Sequence, residues 1–474
     1  MTKPNPPFLL TALSLVLFSL GGFAVESTII KGTAPEYAGK RLVLKTYEDY
    51  ITYQEVVLDT LFIDSTGKFE LTLSIDHSQM IFSHLGIYFA YFYVTPGNVY
   101  EIMLPKRKDR DVADKLNPFF QETPLHLGVK NEQGTRLNFL ISAFDDYFIP
   151  YFKKFAFNSR SRESYEELDT LIAKIEAPFK EEKNLFFQTY LRYKIGMLRQ
   201  VAFQSGSRNT TSMFFHENEV HYYHPAYMEL FNMVFDDYFL HFSRTENGKG
   251  IYNFINDSAC YSCLSGLLAS DSALADDTLR ELVILKNLHD NFYDDQFSRS
   301  GMLTILDSLT HQTRIENHRE IGLTIREKVT KLMVNFEPPN FTLLDRDSNL
   351  VSLDDLIGKY VYLNFCMCLS YGCIRDFERL SKLYEKHNEY LKIVTVALDE
   401  EYETMTNFLS GKDYSWLFLH YGRQPDIIND YDLRAFPVYF LIGPDGKLLK
   451  SPAPSPEENF ELYLFRIMRE KGDI

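Results

Sequence analysis

Three of the five cysteines in this 474-residue chain, Cys366, Cys368 and Cys373, fall within a single stretch, GKYVYLNFCMCLSYGCIRD. Disulfide exchange needs the thiolate form of cysteine, and the start of a helix is where backbone dipoles favour that form. The stretch supplies such a start. Tyr360 to Phe365 is an apolar run rich in aromatic and β-branched residues, which predicts a strand buried on both faces. From Cys373 onward, Ile374, Phe377, Leu380, Leu383 and Tyr384 recur at spacings of three and four, the period of a helix. The thiols therefore sit at a strand-to-helix turn.

Two other groups have chemical potential. Cys260-Tyr261-Ser262-Cys263 has CxxC spacing at the start of a helix, LSGLLAS, but no buried strand precedes it. Ordinary buried thiols are the default reading, with a local disulfide and redox catalysis as the alternatives. His216, Glu217, Glu219, His221 and His224 carry side chains able to ligate a transition metal. Pro225 interrupts the cluster, and neither an HExxH pattern nor paired cysteines accompany it, so a solvated or locally hydrogen-bonded loop is expected. No metal or cofactor is expected.

The length predicts about three folding units. An apolar run, FLLTALSLVLFSL, follows Lys3 and ends in Gly22 and Ala24, the layout of a cleaved signal peptide over residues 1–24. An exported, periplasmic protein, soluble after cleavage, is the consequence. Residues 25–128 alternate in the strand period, as in RLVLKTY, VVLDTLFID and KFELTLSI, and turns such as Asp64-Ser65-Thr66-Gly67 separate the runs. A small β-sandwich follows. Residues 129–335 are helical in period: Leu137 to Phe155, Tyr165 to Ala177, Phe187 to Gln200, Tyr227 to Phe242, Thr278 to Phe292 and Met302 to Leu309. SGSRNTTS and RTENGKG read as loops between them. Residues 336–474 alternate strand and helix in an α/β order, and Ser455, Pro456 and Glu458 are expected to cap the last helix. Asp399 and Glu400, ending KIVTVALDE, are expected to cap the helix after them, and Asn364 to make structural hydrogen bonds. The net charge of -16 excludes nucleic acid as a partner, because phosphate binding needs clustered Lys and Arg.

The order of elements, with LNF leading into a cysteine-bearing helix and Ala435-Phe436-Pro437-Val438-Tyr439-Phe440-Leu441-Ile442-Gly443-Pro444-Asp445-Gly446 later, resembles the thioredoxin fold. More closely, it resembles the TlpA/ResA-like thiol-disulfide oxidoreductases of bacterial envelopes. Phrases such as HPAYMELF and DTLRELVIL are similar to the N-terminal β and helical extensions of the Bacteroidetes members. Aligned without a gap on Asn364-Phe365, the family pattern NFWAxWCxxC puts Ser370 at the attacking cysteine and Cys373 at the resolving one, a degenerate SxxC. A serine neither attacks a disulfide sulfur nor leaves a mixed disulfide at neutral pH. The resemblance thus implies a thiol-disulfide oxidoreductase of reduced or altered activity, with Cys373, Cys368 and Ser370 as the catalytic positions. A Cys368–Cys373 couple, with four residues between, is the displaced pair it allows; a Cys366–Cys368 bridge would close a small, strained ring. It further implies a cis Pro437 facing the turn, which with Phe436 and Tyr371 binds an extended polypeptide. The expected partner is a polypeptide or a thiol/disulfide protein of the cell envelope. The other reading is a redox-silent module that only docks such a chain.

Overall fold

The computed structural model describes residues 27–111, 114, 120–132, 136–157, 165–202, 207–215, 219–422 and 424–474. The expected signal peptide lies outside these residues, as do His216 and Glu217 of the histidine cluster. Among the described residues, no helix is long and apolar enough to cross a membrane.

The N-terminal strands form two sheets. β1 (Ser27–Thr33), β4 (Lys68–Ser74), β7 (Val99–Met103) and β9 (Gly128–Glu132) make one, in the order β4-β1-β7-β9. β2 (Arg41–Tyr47), β3 (Glu55–Phe62), β5 (Gln79–Leu85), β6 (Tyr88–Val94) and β8 (Thr123–His126) make the other, in the order β3-β2-β5-β6-β8. Alternation drives the pairing: β2 buries Leu42 and Leu44 and turns Arg41 and Val43 outward. The turn at Gly67 needs glycine, with φ +85° and the Pro35 backbone 2.6 Å from where a Cβ would stand. The last strand runs to Glu132, a few residues beyond the expected boundary.

The middle helices are α1 (Leu137–Phe157), α2 (Tyr165–Glu176), α3 (Leu185–Ala202), α4 (Ser207–Phe214), α5 (Pro225–Val234), α6 (Tyr238–Ser243), α7 (Tyr261–Leu268), α8 (Asp277–Asp290), α9 (Arg299–Gln312) and α10 (Glu316–Thr330). They pack on the second sheet, where Phe82 and Tyr93 share one core with Phe144, Phe187 and Tyr190. Asn138 fastens the two layers, accepting from the Tyr93 N–H at 2.7 Å and donating to the Tyr93 carbonyl at 2.8 Å. Three expectations need correcting. The single helix expected over Tyr227 to Phe242 is broken at Asp237, which takes a left-handed φ of 47°. SGSRNTTS is helical from Ser207. α10 was not anticipated, because its buried stripe of Ile321, Ile325 and Val329 is narrow and set among charges.

The C-terminal domain is built on a seven-stranded sheet with helices on both faces. Its strands are β10 (Thr342–Asp345), β11 (Leu350–Ser352), β12 (Tyr360–Cys366), β13 (Leu391–Ala397), β14 (Leu417–His420), β15 (Val438–Ile442) and β16 (Leu448–Lys450). The order is β11-β10-β14-β13-β12-β15-β16, with β12, β13 and β14 parallel and β15 antiparallel to β12. The helices are α11 (Tyr371–His387), α12 (Tyr402–Leu409), α13 (Pro425–Asp430) and α14 (Phe460–Lys471). This is the thioredoxin fold expected from the sequence. Every residue of β12 is buried: Tyr360, Tyr362 and Cys366 face the core under α11, and Val361, Leu363 and Phe365 face the other side. The Ser455/Glu458 capping box forms, but it closes a single turn over Pro456–Glu458, and α14 starts only after Asn459.

Candidate functional site

The site lies where β12 runs into α11, against the start of β15. Ser370 stands at the N-cap of α11 in an extended conformation, φ -73° and ψ 128°, without capping the helix through its side chain. Cys373 shares a buried cluster with Cys366, and the Cys366 thiol, the Met367 backbone and the Ser370 hydroxyl all favour its thiolate. With Cys366 the largest cause, these hold the Cys373 thiol below its ordinary value, although burial and Asp376 oppose it. Burial pushes the Cys366 thiol in the opposite direction, well up.

Cys366, Cys368 and Cys373 are all free, and each is 0% exposed. Cys368 is buried in the same cluster as this pair. Its backbone N–H donates to Asp399 Oδ2 at 2.9 Å, and burial followed by the Asp399 charge raises its thiol pKa. Asp399 therefore anchors the turn rather than capping α12, whose N-cap is Glu401 with no side-chain cap bond.

Phe436-Pro437 is a cis peptide, as the resemblance implied. Pro437 faces the turn, so that a Cβ on Gly372 would stand 3.4 Å from Pro437 Cδ. Leu369 and Tyr371 flank Ser370 with 72% and 82% of their surfaces exposed, while Phe436 is half-buried. The outer face of the turn is thus apolar and oxygen-bearing, and its sulfurs lie beneath.

Behind Cys373 is a polar group that sequence reasoning missed. Asp376, one helical turn on and 2% exposed, accepts from the Tyr439 hydroxyl at 2.8 Å through Oδ2. Its Oδ1 lies 3.5 Å from Arg379 Nη1 and 3.7 Å from Arg375 Nε, with no hydrogen-bond donor. Asn364 pairs with Tyr439 across the strands and donates to the Val394 carbonyl at 3.0 Å, but its Oδ1 is likewise buried without a donor. A carboxylate on the apolar side of a helix, three residues after Cys373 and next to Phe377, was the available signal for Asp376. Strand parity was the signal for Cys366, which shares the face of Tyr362.

The other groups resolve separately. Cys260 and Cys263 form a disulfide rather than two buried thiols. His224 is buried at the N-cap of α5, its Nε2–H donating to the Phe186 carbonyl at 3.0 Å, so it is a packed residue and not part of a solvated loop. Among the described residues, no group of three or more His, Cys, Asp or Glu side chains is placed to hold a metal ion.

Comparison with known proteins concerns the same domain. The Redoxin family profile matches residues 333–462. The thiol-disulfide oxidoreductase ResA of Bacillus cereus is 31% identical over 140 residues, covering 29% of this chain and 80% of that protein. ResA of Bacillus subtilis is 32% identical over 117 residues, 24% of this chain and 64% of the relative. Among solved structures, the thioredoxin domain of a thiol-disulfide oxidoreductase from Bacteroides vulgatus aligns over 29% of this chain and 99% of its own, at 22% identity and a TM-score of 0.27.

Proposed function

This chain belongs, through its C-terminal domain, to the ResA-type thiol-disulfide oxidoreductase family, and from that premise we propose that it is an exported, periplasmic member whose redox activity is reduced or altered by Ser370. The observation that carries this reading is the placement of sulfur. The position from which the family's cysteine attacks holds an oxygen, and Cys366, Cys368 and Cys373 have no exposed surface. A buried thiolate, however well stabilised, cannot reach a disulfide in another protein. What survives is a docking face: Tyr371, Leu369 and Phe436 around the backbone at Pro437, suited to an extended polypeptide or a thiol/disulfide protein of the cell envelope. An insulin-reduction assay tests this. Wild type should run near the background of Cys373→Ala, and a wild-type rate matching an intact CxxC variant would sink the proposal.

A redox reading has one observation in its favour: Cys366 and Cys373 are buried in one cluster, and the Cys366 thiol is the largest cause of the lowered Cys373 thiol. It favours Cys366 over Cys368 as the second sulfur of a displaced couple. Thiol counting on the oxidised, folded chain separates the alternatives by which sulfurs disappear.

A further inference from the structure

The sulfurs within reach of solvent lie in the helical middle. Cys260 and Cys263 are both half-buried, Ser262 between them is exposed, and they form the only disulfide among the described residues. Cys260 is the N-cap of α7, φ -104° and ψ 102°, and its Sγ accepts the Cys263 backbone N–H at 3.2 Å. The Ser262 hydroxyl lies 3.5 Å from the same sulfur.

As a structural staple this bond is poorly placed. It closes a loop of only two intervening residues, and the entropy removed from an unfolded chain grows with loop length. The segment is also held without it. Leu264 and Leu268 are completely buried, the Leu264 N–H donates to the Cys260 carbonyl at 3.0 Å, and the Tyr261 hydroxyl donates to Glu281 at 2.8 Å. Reduction would leave both thiols where the helix places them. A Cys260 thiolate would then receive the Cys263 N–H and the favourable end of the helix dipole, the environment that makes a cysteine a good nucleophile and a good leaving group.

We propose that Cys260 and Cys263 form an exchangeable dithiol/disulfide centre in the helical domain, which passes two electrons to or from the thiols of a partner protein. This goes beyond the docking face at Pro437 and does not depend on it. In the reducing direction, the Cys260 thiolate attacks one sulfur of the partner's disulfide, forms a mixed disulfide and expels the other sulfur as a thiolate. Cys263 then loses its proton and attacks Cys260 Sγ, closing the protein disulfide and releasing the second partner thiolate. Two protein thiols are oxidised, one partner disulfide is reduced to two thiols, and the reverse sequence oxidises a partner dithiol.

The experiment uses the full chain equilibrated in buffers of graded reduced-to-oxidised glutathione ratio, with thiols trapped by a maleimide and located by mass spectrometry. Cys260 and Cys263 should interconvert reversibly while the far-ultraviolet circular dichroism stays native. The three C-terminal cysteines should stay unlabelled. In oxidised glutathione, Cys263→Ser should accumulate a mixed disulfide at Cys260 at least about tenfold faster at neutral pH than Cys260→Ser does at Cys263, as expected of a lowered thiol pKa. A pair that stays oxidised in millimolar reduced glutathione until the protein unfolds would overturn the proposal. So would a Cys260→Ser/Cys263→Ser variant that melts far below wild type while the native pair shows no exchange, because the bond would then be structural.

Discussion

The backbone N–H of Cys368 donates to Asp399 Oδ2 at 2.9 Å, tying the turn before α11 to the end of β13. Both groups are buried, so the bond has no water to replace it. Asp399→Ala should cost about 1–3 kcal/mol through an orphaned N–H, and Asp399→Asn, which keeps an acceptor, less. Removing the Asp399 charge also removes one cause of the raised Cys368 thiol. Chemical denaturation and iodoacetamide labelling of Cys368 measure the two effects; equal stabilities for all three proteins would contradict the assignment.

The lowering of the Cys373 thiol by Cys366 predicts a pH dependence. The Cys373 thiol is lowered in the folded chain, so between that value and the ordinary thiol value the native state binds fewer protons than the unfolded state. Its stabilising contribution is therefore complete above the ordinary value and is lost as pH falls through the lowered one. Cys366→Ala removes the main cause of the lowering. The stability difference between wild type and this variant should widen as pH rises across that window, and a constant difference would show that Cys366 does not act on Cys373.

Ser370→Cys should restore chemistry. Ser370 is the N-cap of α11 and Cys373 lies in the first turn of that helix, so a sulfur at Ser370 stands one turn from a lowered thiol. Insulin reduction is expected to rise by at least about tenfold over wild type and to vanish in Ser370→Cys/Cys373→Ala. No gain would mean that more than one sulfur is missing.

Leu369 and Tyr371 can be removed without touching the core, being largely exposed. Leu369→Ser/Tyr371→Ser should weaken binding of an unfolded, disulfide-containing polypeptide by about tenfold, or ~1.4 kcal/mol, and leave the melting temperature unchanged. Calorimetric titration reads the first and thermal denaturation the second. Unchanged affinity would remove this turn from the docking face.

Asp145, which accepts from the Tyr190 hydroxyl at 2.9 Å, has its pKa pushed up to about 6 by burial, against the pull of Lys194. The folded protein keeps this proton to higher pH than the unfolded one, whose carboxyl titrates near about 4. Stability from this group is present below that value and is lost as pH rises through about 6. Asp145→Asn, which keeps an acceptor for Tyr190, should gain about 1–2 kcal/mol at pH 7 relative to wild type, and the gain should shrink in acid. A gain independent of pH would place the effect elsewhere.

Periodicity and punctuation are local properties, and they placed most of the architecture. The alternation of RLVLKTY, the long runs of α1 and α3, and the strand, turn and helix around Cys373 are all read within a dozen residues. The cis Pro437 was implied by a resemblance carried by two short motifs, which also implies a serine at the attacking position. Sequence reading failed where the decision was not local. β14 and α13 are too short for a periodic run to reveal them, and β14 is held between β10 and β13. Asp237 breaks a helix whose apolar pattern continues through it.

By itself, then, the sequence determined a thioredoxin-type order of strands and helices at the C-terminus, because that order follows from local periodicity, while the placing of Ser370 at the attacking position is what the family resemblance implies. Only the tertiary structure decided what the remaining sulfurs do. Strand parity and helix phase bury Cys366, seven positions away, in the same cluster as Cys373, and the end of β13 holds the Cys368 backbone through Asp399. At Cys260 and Cys263 the same spacing fits buried thiols or a bridge, and the extended N-cap conformation that starts α7 brings the two sulfurs together.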